Sequence, residues 1–199
     1  ILLRGGSGGY QHVFNCILYD FTESDDHTTA FNLNQSRATV KCYNNTSYDI
    51  TVTGNTSKYA TGFLWGTNGT INIKNCIAID SENTAGGGTA AYSVDFRRSG
   101  GSTDCDFCLS SDSTADTVGT NAQTSKTAAN TFETPGSNML IKSTSDAAGN
   151  GTDLGSEANI DITEFDRNGI NVDWDIGAHQ VTRTASSSSK PAFLIFLDT

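Results

Sequence analysis

Cys105 and Cys108 are separated by two residues in the stretch DCDFC, a spacing that can form a redox-active dithiol or half of a zinc site. A zinc site would need further ligands, but there is no second pair of this kind, and His12, His27 and His179 are not spaced as zinc ligands. The stretch also has the character of a strand, with no helix behind it. We therefore favour structural burial of these thiols over metal binding or redox chemistry.

Aspartates near the C-terminus could bind a divalent cation, because carboxylate oxygens are ligands that Ca²⁺ prefers. The candidates are Asp153, Asp161 and Asp166. The stretch DITEFDRNG lacks the alternating Asp/Asn spacing of an EF-hand loop. We favour a structural role for these side chains, with calcium as the alternative, and we expect no other cofactor.

The strand-like stretches that would position these cysteines and aspartates recur along the chain. Four cysteines, Cys16, Cys42, Cys76 and Cys108, recur about every 30 residues in HVFNCILYDF, ATVKCYNNTSYD, TINIKNCIAIDS and DCDFCLSSDS. The aspartates that follow keep this period (Asp20, Asp49, Asp80, Asp112), and so does an aromatic track of Phe31, Phe63 and Tyr92. Independent tracks with one period indicate stacked structural units.

Each repeat contains two or three short alternating strands, and helical periodicity is absent from this half of the sequence. The repeats are too short for WD-type propeller blades and lack the framework of leucine-rich repeats. We therefore predict a parallel β-solenoid, whose coils stack ~4.8 Å apart. In that arrangement the four cysteines form one interior ladder, where a small apolar side chain fits.

The composition narrows the functional classes. A chain of 199 residues can bury the core of one domain. A formal net charge of −10 argues against binding to nucleic acid. No stretch reaches the ~20 apolar residues of a membrane span. The chain begins at Ile1 without a Met, and we interpret it as a processed product or the downstream part of a longer polypeptide.

The second half of the sequence resembles a known family. The stretches LIKSTSDAAGNGTDLG, IDITEFDRNG and WDIGAHQ follow one another as at the end of pectate-lyase-like right-handed parallel β-helix proteins, of the secreted bacterial "choice-of-anchor" and phage-associated type. NCIAIDS and CLSSDST resemble their rungs, while His179 and Gln180 replace the usual aromatic-Glu ending. The resemblance covers about residues 12–180. It implies an all-β right-handed parallel β-helix with irregular C-terminal coils, a fold that carries lyases, hydrolases, adhesins and viral spikes.

The activities of that family give specific expectations. Its polygalacturonase-type hydrolases combine Asp-Asp with Gly-His-Gly and Arg-x-Lys, but this chain has only Asp25-Asp26, which we interpret as a solvated turn. Its lyases use acidic clusters for Ca²⁺ and a Lys or Arg as base. The best candidates for that role are Asp95, Arg97 and Arg98 in VDFRRSGG, where Asp95 and Arg97 share a face if the stretch is a strand. We favour a surface ion pair, which contributes under ~1 kcal/mol.

The C-terminal part is predicted to close the solenoid, since the last coil exposes edge strands. We expect residues 138–183 to form this cap, and the side chains that fasten it through hydrogen bonds and an Arg–carboxylate pair are Asp161, Asp166, Arg167 and Asp175. The β-helix domain would thus span 1–183. Residues 184–199 form a Ser-rich linker and an apolar tail, Phe193, Leu194, Ile195, Phe196 and Leu197. We expect that tail to pack on its own solenoid or to enter a neighbouring subunit or domain.

These observations predict a non-catalytic structural or adhesion module of an extracellular or virion surface, such as a phage tail-spike or decoration element, with glycans as ligands. The alternative is a polysaccharide lyase or glycoside hydrolase. Three or more clustered carboxylates with a Lys or Arg in a groove would favour the enzyme. Exposed aromatic rings beside scattered charges would favour a binding surface.

Overall fold

The computed structural model describes residues 1–5, 9–36, 39–66, 70–85, 93–100, 103–167 and 173–182. In the first 110 residues the strands are β1 Leu2–Gly5, β2 Tyr10–Phe14, β3 Ile17–Glu23, β4 Thr28–Ser36, β5 Thr39–Tyr43, β6 Thr46–Val52, β7 Ala60–Trp65, β8 Thr70–Lys74, β9 Ile77–Asn83, β10 Val94–Arg98, β11 Thr103–Asp106 and β12 Leu109–Ser110. They are rich in β-branched and aromatic residues, which suit a pleated, half-buried surface.

These strands form three parallel sheets of four strands each within the described residues. Sheet A has the order β1-β4-β7-β10, sheet B β11-β8-β5-β2 and sheet C β12-β9-β6-β3. Every third strand returns to the same sheet, so the chain winds through four successive coils, which together we call the coil stack. The prediction of an all-β, solenoid-like parallel architecture is confirmed at this level.

Residues with left-handed backbone mark the corner between sheets B and C in every coil. The corner residues Asn15, Asn44 and Asn75 have φ of 55°, 54° and 52°, and Phe107 has 51°. Asparagine tolerates this conformation better than most residues. The buried amides also bind each other, since Asn75 Nδ2 donates to Asn44 Oδ1 at 3.1 Å. Three of the four aspartates that follow the cysteines also have left-handed backbone, since Asp20, Asp49 and Asp80 have φ of 56°, 51° and 59° at a bend within sheet C.

An aromatic row fills the interior beside sheet A. Phe31 and Phe63 stack with ring centroids 4.6 Å apart, and Phe63 and Phe96 stack at 5.0 Å. Phe96 aligns with Phe63 across β10 and β7 and continues the row into the fourth coil. The sequence prediction placed Tyr92 in this row, but Tyr92 lies outside the described residues.

The cysteines occupy two interior rows instead of the single predicted ladder. The first row is Val13, Cys42, Ile73 and Cys105, and the second is Cys16, Asn45, Cys76 and Cys108. Cys42 therefore belongs to the first row and not to the row of Cys16, Cys76 and Cys108. In that second row the position of the second coil is occupied by Asn45, three residues after Cys42. Asn45 suits that place because its amide donates to Val13 O at 2.8 Å while its Oδ1 accepts from Cys16 N at 2.9 Å.

The remaining elements are α1 Thr114–Val118, α2 Ala128–Thr131, the hairpin of β13 Phe132–Thr134 and β14 Asn138–Ile141, and a 3₁₀ turn at Gly155–Glu157. Helix α1 covers the end of the fourth coil, with Ala115 buried in the interior of the stack. None of the helices in the described ranges has the length and hydropathy needed to cross a lipid bilayer.

Residues 128–167 and 173–182, which we call the C-terminal flank, pack along the stack. Phe132, Met139 and Ile176 join Ile77 and Ile79 in one buried cluster on sheet C. The flank reaches back to the first coil, where Asn15 Nδ2 donates to Ile160 O. The part predicted as an end cap, residues 138–183, therefore lies beside sheet C in its described portion, while α1 takes the end.

Candidate functional site

Asp95, the best sequence candidate for a lyase carboxylate, is 1% exposed within β10. The favoured interpretation of Asp95 and Arg97 as a surface ion pair is therefore wrong, because the Asp95 carboxyl lies in the interior. Its Oδ1 accepts a hydrogen bond from Ser81 N at 3.1 Å, and its Oδ2 accepts from Ser111 N at 2.7 Å and from Ser111 Oγ at 2.6 Å. Burial and the adjacent Asp112 raise the pKa of Asp95 to about 7. Both carboxylate oxygens accept hydrogen bonds from groups of the protein itself. The carboxyl thereby connects β9 and β10 to the turn that follows β12.

The two arginines that follow Asp95 lie in different surroundings. Arg98 is exposed, whereas Arg97 is half-buried and places its Cζ 4.0 Å from the centre of the Tyr59 ring. Such a cation–π contact contributes about 0.5–1 kcal/mol at an exposed site. Arg97 thereby belongs to a cluster that the sequence did not predict.

Tyr59 connects Arg97 to a histidine. The rings of His27 and Tyr59 stack with centroids 3.8 Å apart, and His27 Nδ1 accepts from Tyr59 N at 3.0 Å. His27 precedes β4, Tyr59 precedes β7 and Arg97 lies in β10. Three successive strands of sheet A therefore position this cluster.

Charges surround the histidine. Asp26 pairs with Lys58 at 3.1 Å, and its side chain is 76% exposed. A hydrogen bond from His27 N, together with Lys58, lowers the pKa of Asp26. Partial burial, reinforced by Lys58, lowers the pKa of His27. The imidazole is therefore neutral at pH 7, and Asp26 is ionised.

An open cleft of about 350 Å³ lies beside this cluster on the first coil. Its lining includes Phe21, Glu23, Asp26, His27, Asn32 and Tyr59. Phe21 is 55% exposed and presents an aromatic surface. Carboxylates and an amide supply hydrogen-bonding groups. Apolar walls with a few polar groups are typical of ligand sites, and the volume is at the lower end of their usual range.

The predicted fastening residues lie in the flank, around a buried guanidinium. Arg167 is 0% exposed and donates to Asp175 O at 3.1 Å and Gly177 O at 2.9 Å. Burial lowers the pKa of Arg167 to about 10, an effect that Asp161 and Asp175 oppose. The Asp175 carboxylate accepts from Gly149 N and Val181 N, each at 2.6 Å.

The aspartates of the calcium hypothesis accept hydrogen bonds from nearby groups. Asp153 accepts from Gly155 N at 2.7 Å, and Asp166 accepts from Asn159 Nδ2 at 3.1 Å. Asp161 accepts from Gln180 N at 2.8 Å. Within the part of the chain that the structure describes, no group of three or more His, Cys, Asp or Glu residues is arranged to hold a metal ion.

The predictions for residues 184–199 fall outside the described residues. They concern the Ser-rich linker and the apolar tail of Phe193, Leu194, Ile195, Phe196 and Leu197. The division of the chain at residue 183 also stays a prediction.

No model of a protein family matches the chain, and neither a curated protein nor a solved structure matches it. The resemblance to pectate-lyase-like β-helix proteins therefore stays a hypothesis from the sequence. The function has to be argued from the cleft and its surroundings.

The sequence analysis missed the pairing of His27 with Tyr59. A signal was present, because each residue stands four positions before a member of the aromatic row, Phe31 or Phe63. The register of that row predicts that residues at equal offsets lie on neighbouring coils. Arg97 has no such offset, so only the structure brings it to Tyr59.

Proposed function

We propose that this chain is a non-catalytic structural or adhesion module of an extracellular or virion surface, built as a right-handed parallel β-helix, and that it binds neutral glycans in the cleft on its first coil. The observation that carries this proposal is the combination of exposed aromatic faces and hydrogen-bonding side chains in one concave site. The resemblance of the C-terminal stretches to β-helix proteins supports the same conclusion.

The chemistry of the cleft suits a sugar. A pyranose packs its C–H groups on the electron-rich face of an aromatic ring, and Phe21 and His27 supply such rings. Its hydroxyl groups donate to carboxylates and exchange hydrogen bonds with an amide, which Glu23, Asp26 and Asn32 supply. Those carboxylates and the net charge of −10 repel acidic sugars, so we propose neutral ones.

The electrostatics of the cleft favour binding over hydrolysis. Glycoside hydrolysis needs a carboxyl with a raised pKa as the proton donor. In the cleft, His27 N and Lys58 lower the pKa of Asp26. Asp95 has a raised pKa, but it is 1% exposed and holds main-chain donors. This contrast supports a passive role.

The test is a screen of neutral and acidic glycans on an array, followed by calorimetry with the strongest ligand. We expect Phe21→Ala to weaken binding at least tenfold, because the exposed ring loses its contact with the sugar. The matched control is Tyr10→Ala, since Tyr10 is 76% exposed and does not belong to the cleft lining. We expect unchanged affinity for that variant.

Three results would contradict the proposal. The first is equal loss of affinity in both variants, and the second is no binding of any neutral glycan. The third is turnover of a polysaccharide, measured as new reducing ends or unsaturated products, that disappears in Asp95→Ala. That result would establish the enzymatic alternative.

A further inference from the structure

Two thiols face each other inside the fourth coil. Cys105 ends its row in β11, and Cys108 begins the next side of the coil. Their Sγ atoms are 3.6 Å apart, and the residues are 3% and 1% exposed. Both cysteines are free in the structure. A disulfide has an S–S distance of about 2 Å, so the sulfurs must approach by roughly 1.5 Å.

The same contact recurs at the equivalent corner of the second coil. There the two positions hold Cys42 and Asn45, and Asn45 Nδ2 lies 3.2 Å from Cys42 Sγ. One left-handed residue stands between the paired positions in each case, Asn44 with φ 54° and Phe107 with φ 51°. The corner backbone therefore directs these two side chains toward each other, and the fourth coil places a thiol at both positions.

We propose that Cys105 and Cys108 are an oxidation site, at which a small-molecule disulfide converts the two thiols into an intramolecular disulfide. One thiol loses its proton, and the thiolate attacks a sulfur of the oxidant and releases half of it as a thiol. The second protein thiol loses its proton, and its thiolate attacks the protein-derived sulfur of the mixed disulfide. The S–S bond between the two cysteines forms, and the other half of the oxidant leaves as a thiolate that takes up a proton. The protein loses two electrons and two protons, and the oxidant is reduced to two thiols.

The three other cysteines lie on the first three coils. Cys16 lies on the first coil and Cys42 on the second, whereas Cys76 precedes Cys108 in the same row. Cys76 is therefore the competitor that the experiment must distinguish. The two thiols would be oxidised in extracellular surroundings and reduced in a glutathione-rich cytosol. The redox state of this pair in the isolated protein would therefore indicate the compartment from which the protein came.

The experiment treats the folded chain with oxidised glutathione, unfolds it and alkylates the remaining thiols. We expect three alkylated cysteines of the five in the chain, and a peptide map that links Cys105 to Cys108. Dithiothreitol should restore all five. Cys105→Ser should abolish the link, whereas the matched control Cys42→Ser, which removes a buried thiol from the same row, should retain it.

A second arm of the experiment tests whether the oxidant can reach the thiols, because both are buried in the folded chain. The reduced, unfolded chain is also refolded in the presence of oxidised glutathione, so that the thiols meet the oxidant before they are enclosed. Five alkylated cysteines in both arms would overturn the proposal. A link from Cys76 to Cys108, or glutathione adducts without a protein disulfide, would overturn it as well.

Discussion

The coil stack and the C-terminal flank bury their residues by different means. In the coil stack, like side chains lie above one another, as Phe31, Phe63 and Phe96 do. In the flank, a single guanidinium, that of Arg167, lies 0% exposed among carbonyl groups. The stack depends on apolar contact repeated from coil to coil. The flank combines an apolar cluster on sheet C with individual buried hydrogen bonds. Each of these bonds costs about 1–3 kcal/mol when one partner is removed.

Two tryptophans allow the regions to be followed separately. Trp65 is fully buried in β7, and Trp174 is 4% exposed in the flank. Variants that keep only one of them, Trp65→Phe or Trp174→Phe, therefore report on one region at a time. Every prediction below uses these two backgrounds.

The largest effect is expected in the coil stack. Phe63→Ala removes the middle ring of the aromatic row and its contacts with both neighbours. We expect the free energy of unfolding to fall by about 4 kcal/mol, because a large buried aromatic leaves a cavity. Both tryptophan signals should shift together in urea titrations, since the flank packs on sheet C of the same stack.

Phe21→Ala is the control for this substitution, because Phe21 is 55% exposed. We expect it to change the free energy of unfolding by less than about 0.5 kcal/mol. If Phe63→Ala were equally mild, the stacked row would not be the source of stability in the coil stack.

A smaller and local effect is expected in the flank. Arg167→Ala leaves the carbonyls of Asp175 and Gly177 without their buried donor. We expect a loss of about 3 kcal/mol, the low end for breaking a buried charged network. The Trp174 signal should change at lower urea than the Trp65 signal, because the coils retain their own contacts.

The exposed Arg98 provides the matched control, since Arg98→Ala removes the same charge from the surface. We expect both transitions of that variant to coincide with those of the unchanged chain. A simultaneous shift of Trp65 and Trp174 in Arg167→Ala would instead mean that the flank and the coils unfold as one unit.

The coils were predictable from the sequence because their rows repeat. The period alone predicted parallel strands and an interior of stacked side chains. It could not assign Cys42 to its row, because both cysteine rows face the interior and Asn45 is polar. Asn45 nevertheless fits the second row, because its amide bonds to Val13 O and to Cys16 N.

The flank was not predictable in the same way. Each contact of the flank occurs only once, and its two residues are not related by the repeat of about 30 residues. Asn75 exchanges two hydrogen bonds with Thr152, each 2.8 Å long, and Asn44 Nδ2 donates to Ala158 O at 3.0 Å. The asparagines were visible in the sequence, but their partners lie 77 and 114 positions away. The cleft was missed for a related reason, because its residues meet only after the coils stack.

The smallest change per measured step, one pH unit, is expected at the junction of the coil stack with the chain that follows it, where Asp95 links β10 to Ser111. Burial and Asp112 raise the pKa of this carboxyl from 3.8 to about 7. A group whose folded pKa is raised stabilises the fold fully below its unfolded pKa, and this contribution is lost as the pH rises through the folded pKa. Between pH 4 and pH 7 we therefore expect a loss of up to about 1.4 kcal/mol per pH unit from Asp95.

The measurement is a series of urea titrations from pH 4.5 to 8.5 on each single-tryptophan background, with and without Asp95→Asn, which cannot titrate at this position. The slope of stability against pH should be less negative in Asp95→Asn. The Trp65 signal should report this change, because Asp95 lies in β10, which pairs with the strand that carries Trp65. The matched control is Asp25→Asn, which makes the same substitution in an exposed turn.

Equal slopes with and without Asp95→Asn would mean that hydrogen bonding prevails over burial. The donors Ser81 N, Ser111 N and Ser111 Oγ all favour the ionised carboxylate. If they outweigh desolvation, Asp95 stays charged at neutral pH and acts as a fixed anionic anchor. The junction would then resemble the flank, where buried charge is held by directed hydrogen bonds, more than the apolar rows of the coils.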